Sequence, residues 1–272
     1  MTRIVIKPKG KLQLINITEI LRYRELFYIF SWRDIKVRYK QTFFGIAWAL
    51  FQPLINMIIF TIFFGNLVKI PSGNLPYPLF VLIGLIFWTF FSGALTQASN
   101  SLITNENLLK KVYFPKLILP ISSVITSLVD FIITLVLLFL ALFFFHTSFS
   151  LELILMLLTG IIITFFSALG LGLLFSSINV KYRDVRYVLP FLIQILMFLS
   201  PVIYPVSTIK SSLKYILALN PMTGVIESVR AVISQTPVPY DILALSSLSA
   251  VCLLILGLFY FQSTERFFAD IV

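Results

Sequence analysis

The sequence is poor in charge and in the residues that form cross-links. Only 12% of its 272 residues are charged, against about a quarter in an ordinary soluble domain. It contains one cysteine, Cys252, which excludes an intrachain disulfide. Because Cys252 falls within an apolar run, we expect a buried, unreactive thiol. The low charge excludes an ordinary soluble domain.

The sequence also lacks the motifs of membrane-associated catalysts. No G-x-x-x-x-G-K-[ST] segment is present, so the chain offers no phosphate-binding loop. Its 11 acidic residues are scattered, without the paired carboxylates that a membrane-bound glycosyltransferase or acyltransferase would need. We therefore expect no catalytic residue, no metal site and no bound cofactor in this chain.

What the sequence has instead is long apolar runs. Hydrophobic residues make up 59% of the chain, and its mean hydropathy is +0.99. A helix that crosses a membrane needs ~20 apolar residues. Six runs approach or exceed that length: 43–64, 78–95, 117–145, 151–178, 187–206 and 242–261. They predict an all-α integral membrane protein with six spans per subunit, in a transmembrane domain over residues 43–262.

The stretch between the last two runs, residues 207–241, is too apolar for a loop and too interrupted to span twice. We interpret it as short re-entrant helices at the outer side of the membrane, with an additional hairpin of spans as the alternative. Pro201 and Pro205 precede it, and because proline ends or kinks a helix, the fifth span is expected to break there. Asn220 and Pro221 then begin a new short helix.

The basic residues are distributed unevenly about these runs. With an even number of spans, both termini lie on one side. Most of the 21 basic residues fall on that side, in segments 1–42, 105–116, 181–186 and 263–272. Cytoplasmic segments carry such an excess, so both termini are predicted to be cytoplasmic. The net charge of +10 then follows from topology and indicates no nucleic-acid partner.

The N-terminal arm, residues 1–42, has a pattern of its own. Between Ile20 and Tyr39, apolar and basic side chains interleave. A helix of this kind lies in the headgroup plane of a membrane. We therefore predict an amphipathic interface helix; an arm packed on the protein's own cytoplasmic surface is the alternative.

Asp130 is the one acidic residue deep inside an apolar run. A carboxylate in a membrane is costly and by default suggests a function such as a proton path. A relay needs partners, however, and the other runs contain no acid, base or histidine near their centres. We therefore predict a structural Asp130, paired within the helix bundle or protonated.

Several stretches that face the cytoplasm or lie at an interface follow one another in a recognisable order. They are DIKVRYKQT at 34–42 with GIAWALFQP at 45–53, LLKKVYFPK at 108–116, YRDVR at 182–186, LSPVIYP at 199–205 and LNPMT at 219–223. Together they resemble the permease subunits of polysaccharide-exporting ABC transporters, which move O-antigen, capsule or teichoic acid chains.

The resemblance implies a homodimer that encloses a channel in the bacterial cytoplasmic (inner) membrane. Two copies of a separate ATPase subunit, which binds ATP and Mg, dock on its cytoplasmic face. The substrate class is a lipid-linked glycan. The first and fifth spans line the channel in the resembling permeases, and here they supply Trp48, Phe51, Gln52, Asn56, Phe191, Gln194, Phe198 and Tyr204.

The resemblance also places gate helices at the periplasmic exit, around residues 207–241. The candidate gate residues are Pro201, Pro205, Asn220, Pro221, Glu227 and Arg230. Glu227 and Arg230 stand three residues apart on one predicted helix and can form an ion pair. A static plug at the interface is the alternative to a moving gate.

Force from a separate ATPase has to enter through the cytoplasmic loops. The first candidate is the segment from Asn105 to Lys116, which combines charges with aromatic side chains and has Pro115 to stop its helix before the third span. Its proposed contacts are Asn105, Glu106, Lys110, Lys111, Tyr113 and Phe114. The second candidate comprises Tyr182, Arg183 and Asp184. An ordinary basic loop with interfacial aromatics is the alternative for both.

The sequence also bears on two other transporter classes. A secondary transporter is expected to have an internal repeat and an ion site within the membrane, and neither is visible in the sequence. An ABC permease that exports a drug or another small amphiphile remains the alternative.

Overall fold

The computed structural model describes residues 22–40, 46–147, 149–182, 184–209, 211–265 and residue 268. Predictions for the first part of the N-terminal arm, for Arg183 and for most of the tail fall outside these residues. The described helices are α1 (Arg24–Lys40), α2 (Ile46–Phe60), α3 (Tyr77–Thr104), α4 (Glu106–Lys111), α5 (Ile118–Phe144), α6 (Leu151–Lys181), α7 (Val185–Leu199), α8 (Ser211–Ala218), α9 (Pro221–Ile233) and α10 (Tyr240–Thr264).

Five helices in the described part of the chain are long and apolar enough to cross a membrane. They are α2 with its π-helical extension, together Ala47–Leu67, and α3, α5, α6 and α10. The prediction of an all-helical, multi-pass membrane protein is confirmed. The run predicted as the fifth span contains only the 15-residue α7, about 22 Å long, and a span needs ~30 Å. The count of six spans is therefore not confirmed.

Helix α3 is the centre of the bundle, with its residues buried almost continuously from Leu79 to Leu102. Lipid offers no hydrophobic driving force between helices, so spans associate where small residues let backbones approach. Helix α6 meets α3 where Gly172 faces Ala98, and it meets α10 where Gly170 faces Gly257. Cys252 on α10 is exposed rather than buried, which corrects the sequence-based expectation.

Two contacts fix which helix ends lie together. The amide Nδ2 of Asn179 donates to the carbonyl of Ser99 at 3.1 Å, so α3 and α6 end side by side. Nζ of Lys116 donates to the carbonyl of Glu265 at 2.8 Å, which brings the end of α10 to the same place. We call this end of the bundle the basic face, defined by Lys110, Lys111, Lys116 and Lys181, and the opposite end the distal face.

The segment before α10 forms two short helices rather than a hairpin of spans. Helix α8 has 8 residues and α9 has 13, and both are far shorter than a span. Twelve of the residues of α9 are buried, because the helix packs against α3, α6 and α10. The alternative of two additional spans is therefore wrong.

Helix α1 runs beside the first half of α5. The ring centroids of Phe30 and Phe114 lie 5.8 Å apart, and Oγ of Ser31 donates to the carbonyl of Ser122 at 3.4 Å. The arm thus packs on the protein itself, as the alternative proposed. Its placement in the headgroup plane stays a prediction.

Gly257 is expected to tolerate no larger residue. A Cβ at this position would lie 2.0 Å from the carbonyl oxygen of Gly170, so Gly257→Ala should force α6 and α10 apart. We expect the thermal unfolding midpoint of the purified protein to fall by roughly 3 °C or more. Gly93→Ala is the matched control, because a Cβ there meets no atom within 4 Å. Equal midpoints for the two variants would contradict this packing.

Candidate functional site

A cavity of about 730 Å³ lies between α1, α2, α3 and α5. Its polar lining comprises Arg38, Tyr39, Gln52, Thr89, Ser92, Gln97, Ser127, Asp130 and Thr134. Trp48, Phe90 and Phe131 contribute aromatic surface. A cavity of this size, with a few convergent polar groups, has the dimensions of a small-molecule site.

The cavity lies near the boundary between the apolar and polar parts of the bundle. Helix α3 is apolar for about 20 residues from Tyr77, the length of one span, and turns polar at Gln97. Nε2 of Gln97 donates to Oγ of Ser127 at 2.8 Å, so Ser127 lies at that boundary. Asp130 lies three residues, roughly 5 Å, further along α5. Asp130 is also the thirteenth of the 27 residues of α5, a helix long enough to cross the membrane, and its depth in the membrane stays a prediction.

Asp130 is held by the N-terminal arm. Nη1 of Arg38 donates to one carboxylate oxygen, and the phenol of Tyr39 donates to the other. The predicted pairing is present, but its partners precede Asp130 by 91 and 92 residues and belong to α1 rather than to a span. Burial raises the pKa of Tyr39, although Arg38 acts in the opposite direction, so the phenol keeps its proton at neutral pH.

A second polar cluster holds the chain where α7 ends. Arg230 is 4% exposed, and its five hydrogen bonds equal the five N–H donors of a guanidinium. Nε and Nη2 donate to the carbonyl of Phe80 at 3.1 and 2.9 Å. Nη1 donates to the carbonyl of Pro201 at 2.6 Å, and Nη2 to that of Val202 at 2.8 Å. Nη1 also pairs with Glu227 at 3.2 Å, so the predicted ion pair is confirmed.

The electrostatics of this cluster follow from burial. Desolvation lowers the pKa of Arg230 to about 10, and Glu227 opposes the shift, so Arg230 stays charged at neutral pH. Burial raises the pKa of Tyr204, and the carboxylate of Glu227 adds to the effect. The Tyr204 hydroxyl donates to the carbonyl of Phe198 at 3.0 Å, which ties the turn back to the end of α7.

The start of α9 joins the same cluster. Oδ1 of Asn220 accepts from the backbone N–H of Met222 at 3.1 Å, and Pro221 occupies the first turn. Nδ2 of Asn220 donates to Oγ of Ser200 at 2.8 Å. Pro205 is buried in the turn after α7. The structure therefore brings the six candidate gate residues into one neighbourhood, while their movement as a gate stays a prediction.

In the loop at the basic face, Lys110, Lys111 and Tyr113 are exposed as predicted, whereas Phe114 is buried. Phe114 is 4% exposed and packs against Phe30 of α1, so it is not available to a partner. Its neighbours Val112 and Tyr113 are 53% and 72% exposed. Lys110 pairs with Glu106 at 2.7 Å on the surface of α4. Asn105 caps the junction between α3 and α4, its Nδ2 donating to a carbonyl one turn earlier at 2.8 Å.

The sequence matches the model of a known family. A profile of the ABC-2 type transporter family matches residues 25–234. The chain belongs to this family.

Three proteins of similar sequence have names that describe export. The chain is 30% identical to the O-antigen export system permease protein RfbA of Myxococcus xanthus, over 93% of this chain and 98% of the relative. It is 27% identical to an RfbA of Klebsiella pneumoniae, over 91% and 95% of the two chains. It is 26% identical to the polysialic acid transport protein KpsM of Escherichia coli, over 72% and 76%.

The residues proposed to line a channel of this ABC-2 protein fall into two groups. Trp48 and Gln52 line the cavity, whereas Phe51 is exposed and Asn56 half-buried outside it. Phe191, Gln194 and Phe198 are exposed on one stripe of α7. A single chain does not bring the two groups together.

The remaining predicted contacts lie at the basic face, and the cavity includes residues that sequence reasoning missed. Tyr182 and Asp184 are exposed there, as is Lys111, while Arg183 lies outside the described residues. The missed polar residues are Arg38, Tyr39, Thr89, Ser92, Gln97, Ser127 and Thr134. The signals for them were the 34–42 stretch, which contains Arg38 and Tyr39, and the change from apolar to polar residues at Gln97.

Replacing Arg230 is expected to destabilise the protein strongly. Lysine carries the charge but cannot reproduce the planar fork, so Arg230→Lys leaves carbonyls such as that of Pro201 without a donor. Breaking a buried charged cluster costs about 3–5 kcal/mol, measured as a lower thermal midpoint. Arg33→Lys is the control, because Arg33 pairs with Asp34 at 2.8 Å on the surface, where a pair contributes about 0–1 kcal/mol. If Arg230→Lys matched the control, the cluster would not be a structural clamp.

Proposed function

We propose that this protein is the membrane permease of an ATP-driven exporter that moves a lipid-linked polysaccharide out of the bacterial cytoplasm. The observation that carries the proposal is the near-complete alignment with permeases named for O-antigen export in two bacteria. The polysialic acid transport protein widens the substrate class to capsule-like polysaccharides.

The basic face is the cytoplasmic side in this proposal. Lysines gather there, at Lys110, Lys111, Lys116 and Lys181, as the charge bias of cytoplasmic loops requires. Both termini then lie in the cytoplasm, and the distal face lies on the periplasmic side of the inner membrane. The short helices α8 and α9 form the gate region near the periplasmic exit, held at rest by Arg230.

The exporter works as a homodimer in this proposal. Within α7, all of which the structure describes, only Leu189 is buried. Gln194 on α7 and Gln52 on α2 are exposed, and lipid cannot satisfy an amide. A second copy would place these amides and the neighbouring aromatic rings along a shared polar passage, where sugar rings stack on aromatics and hydroxyls pair with amides.

Two copies of a separate ATPase subunit, carrying ATP and Mg, supply the force. Support comes from the exposed Val112 and Tyr113 beside the Lys110 and Lys111 ammonium groups, which together offer an aromatic contact rimmed by charge. Tyr182 and Asp184 form the second contact surface at the same face.

The test is reconstitution of the permease with its ATPase in lipid vesicles. ATP-dependent translocation of lipid-linked glycan is expected, together with stimulation of ATP hydrolysis by that glycan. If the complex hydrolyses ATP and moves a small amphiphilic drug but not the glycan, the drug-exporter alternative is correct instead.

The exposed residues of the loop at the basic face, Asn105 to Lys116, should be needed to couple ATP hydrolysis to transport. Tyr113→Ala, or Lys110→Glu together with Lys111→Glu, should lower ATP-driven transport about tenfold or more, because the ATPase loses its contact while the permease stays folded. Transport in vesicles and co-purification of the ATPase are the measurements. Tyr240→Ala, which removes a similarly exposed tyrosine (64%) at the distal face, should keep both. Normal transport by the loop variants would remove this loop from the mechanism.

A further inference from the structure

The ion pair of Asp130 with Arg38 faces a cavity rather than a packed interior. The side chains are 27% and 35% exposed, and both line the space between α1, α2, α3 and α5. The carboxylate keeps part of its surface open to the cavity, although Arg38 and Tyr39 already satisfy one lone pair on each oxygen.

The lining around this pair favours an uncharged ligand with many hydroxyl groups. One guanidinium and one carboxylate cancel, so the cavity carries no net positive charge to attract a phosphate or diphosphate. Gln52 and Gln97 present amides, each with both donors and an acceptor. Gln97 uses one donor on Ser127. Hydroxyls of a ligand that both donate and accept can pair with all of these groups.

An aromatic surface completes the set. Trp48 lies on the α2 wall of the cavity and is 58% exposed. The CH face of a sugar ring stacks on an indole, and aromatic residues supply large contact areas of this kind. A pyranose ring is apolar on its faces and polar at its rim. The indole of this cavity suits the ring face, and its carboxylate and two amides suit the hydroxyls at the rim.

We propose that this cavity binds one or a few neutral sugar residues of the exported glycan, near the inner boundary of the membrane. Asp130 accepts hydrogen bonds from sugar hydroxyls, the amides of Gln52 and Gln97 bind further hydroxyls, and Trp48 stacks on the ring. Arg38 and Tyr39 act as positioning residues that orient the carboxylate. The assignment of the sugar to the exported chain rests on the proposed function; the hydroxyl-binding site itself rests on the cavity.

The test measures binding through Trp48. The permease–ATPase complex is purified in lipid nanodiscs with Trp32→Phe and Trp88→Phe, and the same complex with Trp48→Phe added is the optical blank. The probes are the host's own glycan freed from lipid by mild acid, maltotriose, chitotriose and inorganic pyrophosphate. A saturable change in Trp48 emission with a sugar probe, and none with pyrophosphate, is expected.

Variants assign the roles. Asp130→Asn should weaken sugar binding about tenfold or more, because a charged acceptor is lost, and Gln52→Leu should weaken it without disturbing the ion pair. Gln262→Leu, which removes an amide on α10 outside the cavity, is the matched control and should bind normally. The exchanged pair, Arg38→Asp with Asp130→Arg, should regain thermal stability but not sugar affinity.

Four results would overturn the proposal: no response to any sugar, a response to pyrophosphate alone, unchanged affinity in both Asp130→Asn and Gln52→Leu, or full affinity in the exchanged pair. The last would show that the pair only docks α1. These outcomes are independent of transport. A complex that translocates glycan in vesicles without a sugar response at Trp48 keeps the proposed function and loses only this site.

Discussion

A backbone that leaves its helix within an apolar layer needs donors for its free carbonyls, and in this chain Arg230 supplies them. Helix α7 ends at Leu199, and the carbonyls of Pro201 and Val202 then accept from the guanidinium, as does that of Phe80 on α3. Glu227 balances the charge from the preceding turn of α9. The course of the chain between α7 and α9 therefore depends on the side chain of Arg230. The close approach of Val202 to α3 depends in addition on Gly84, because a Cβ at that position would lie 3.0 Å from both Val202 and Arg230.

Apolar runs predicted the long helices well, but they gave the wrong helix length where prolines interrupt a run. The run 187–206 is long enough for a span, but Pro201 and Pro205 interrupt it, so the helix covers only its first part. The partners of Asp130 could not be predicted for a related reason. Arg38 and Tyr39 precede it by 92 and 91 residues, and only the packing of α1 on α5 brings them to the carboxylate.

Side-chain orientation within short segments could not be predicted from the sequence, because contacts with distant helices decide it. Tyr113 and Phe114 are neighbours of similar character, yet one is exposed and the other buried, and the choice is made by Phe30 on a distant helix. Gln52 and Asn56 share a helical face by spacing, yet only Gln52 reaches the cavity. The ion pair that was predicted from local spacing, Glu227 with Arg230, was correct because both residues belong to one helix turn.

Helix α1 connects the two regions that the proposed mechanism needs to communicate. It touches the basic loop at Phe30, through Phe114, and it touches the cavity at Arg38, through Asp130. Eight residues of continuous helix separate these contacts, roughly 12 Å of a stiff element. A displacement of the loop by a docked ATPase would act on the helix whose far end orients the cavity carboxylate. The exposed Tyr28, Trp32 and Val37 remain on the surface of α1, free to rest in a lipid interface, so packing on α5 and contact with the membrane are compatible in one helix.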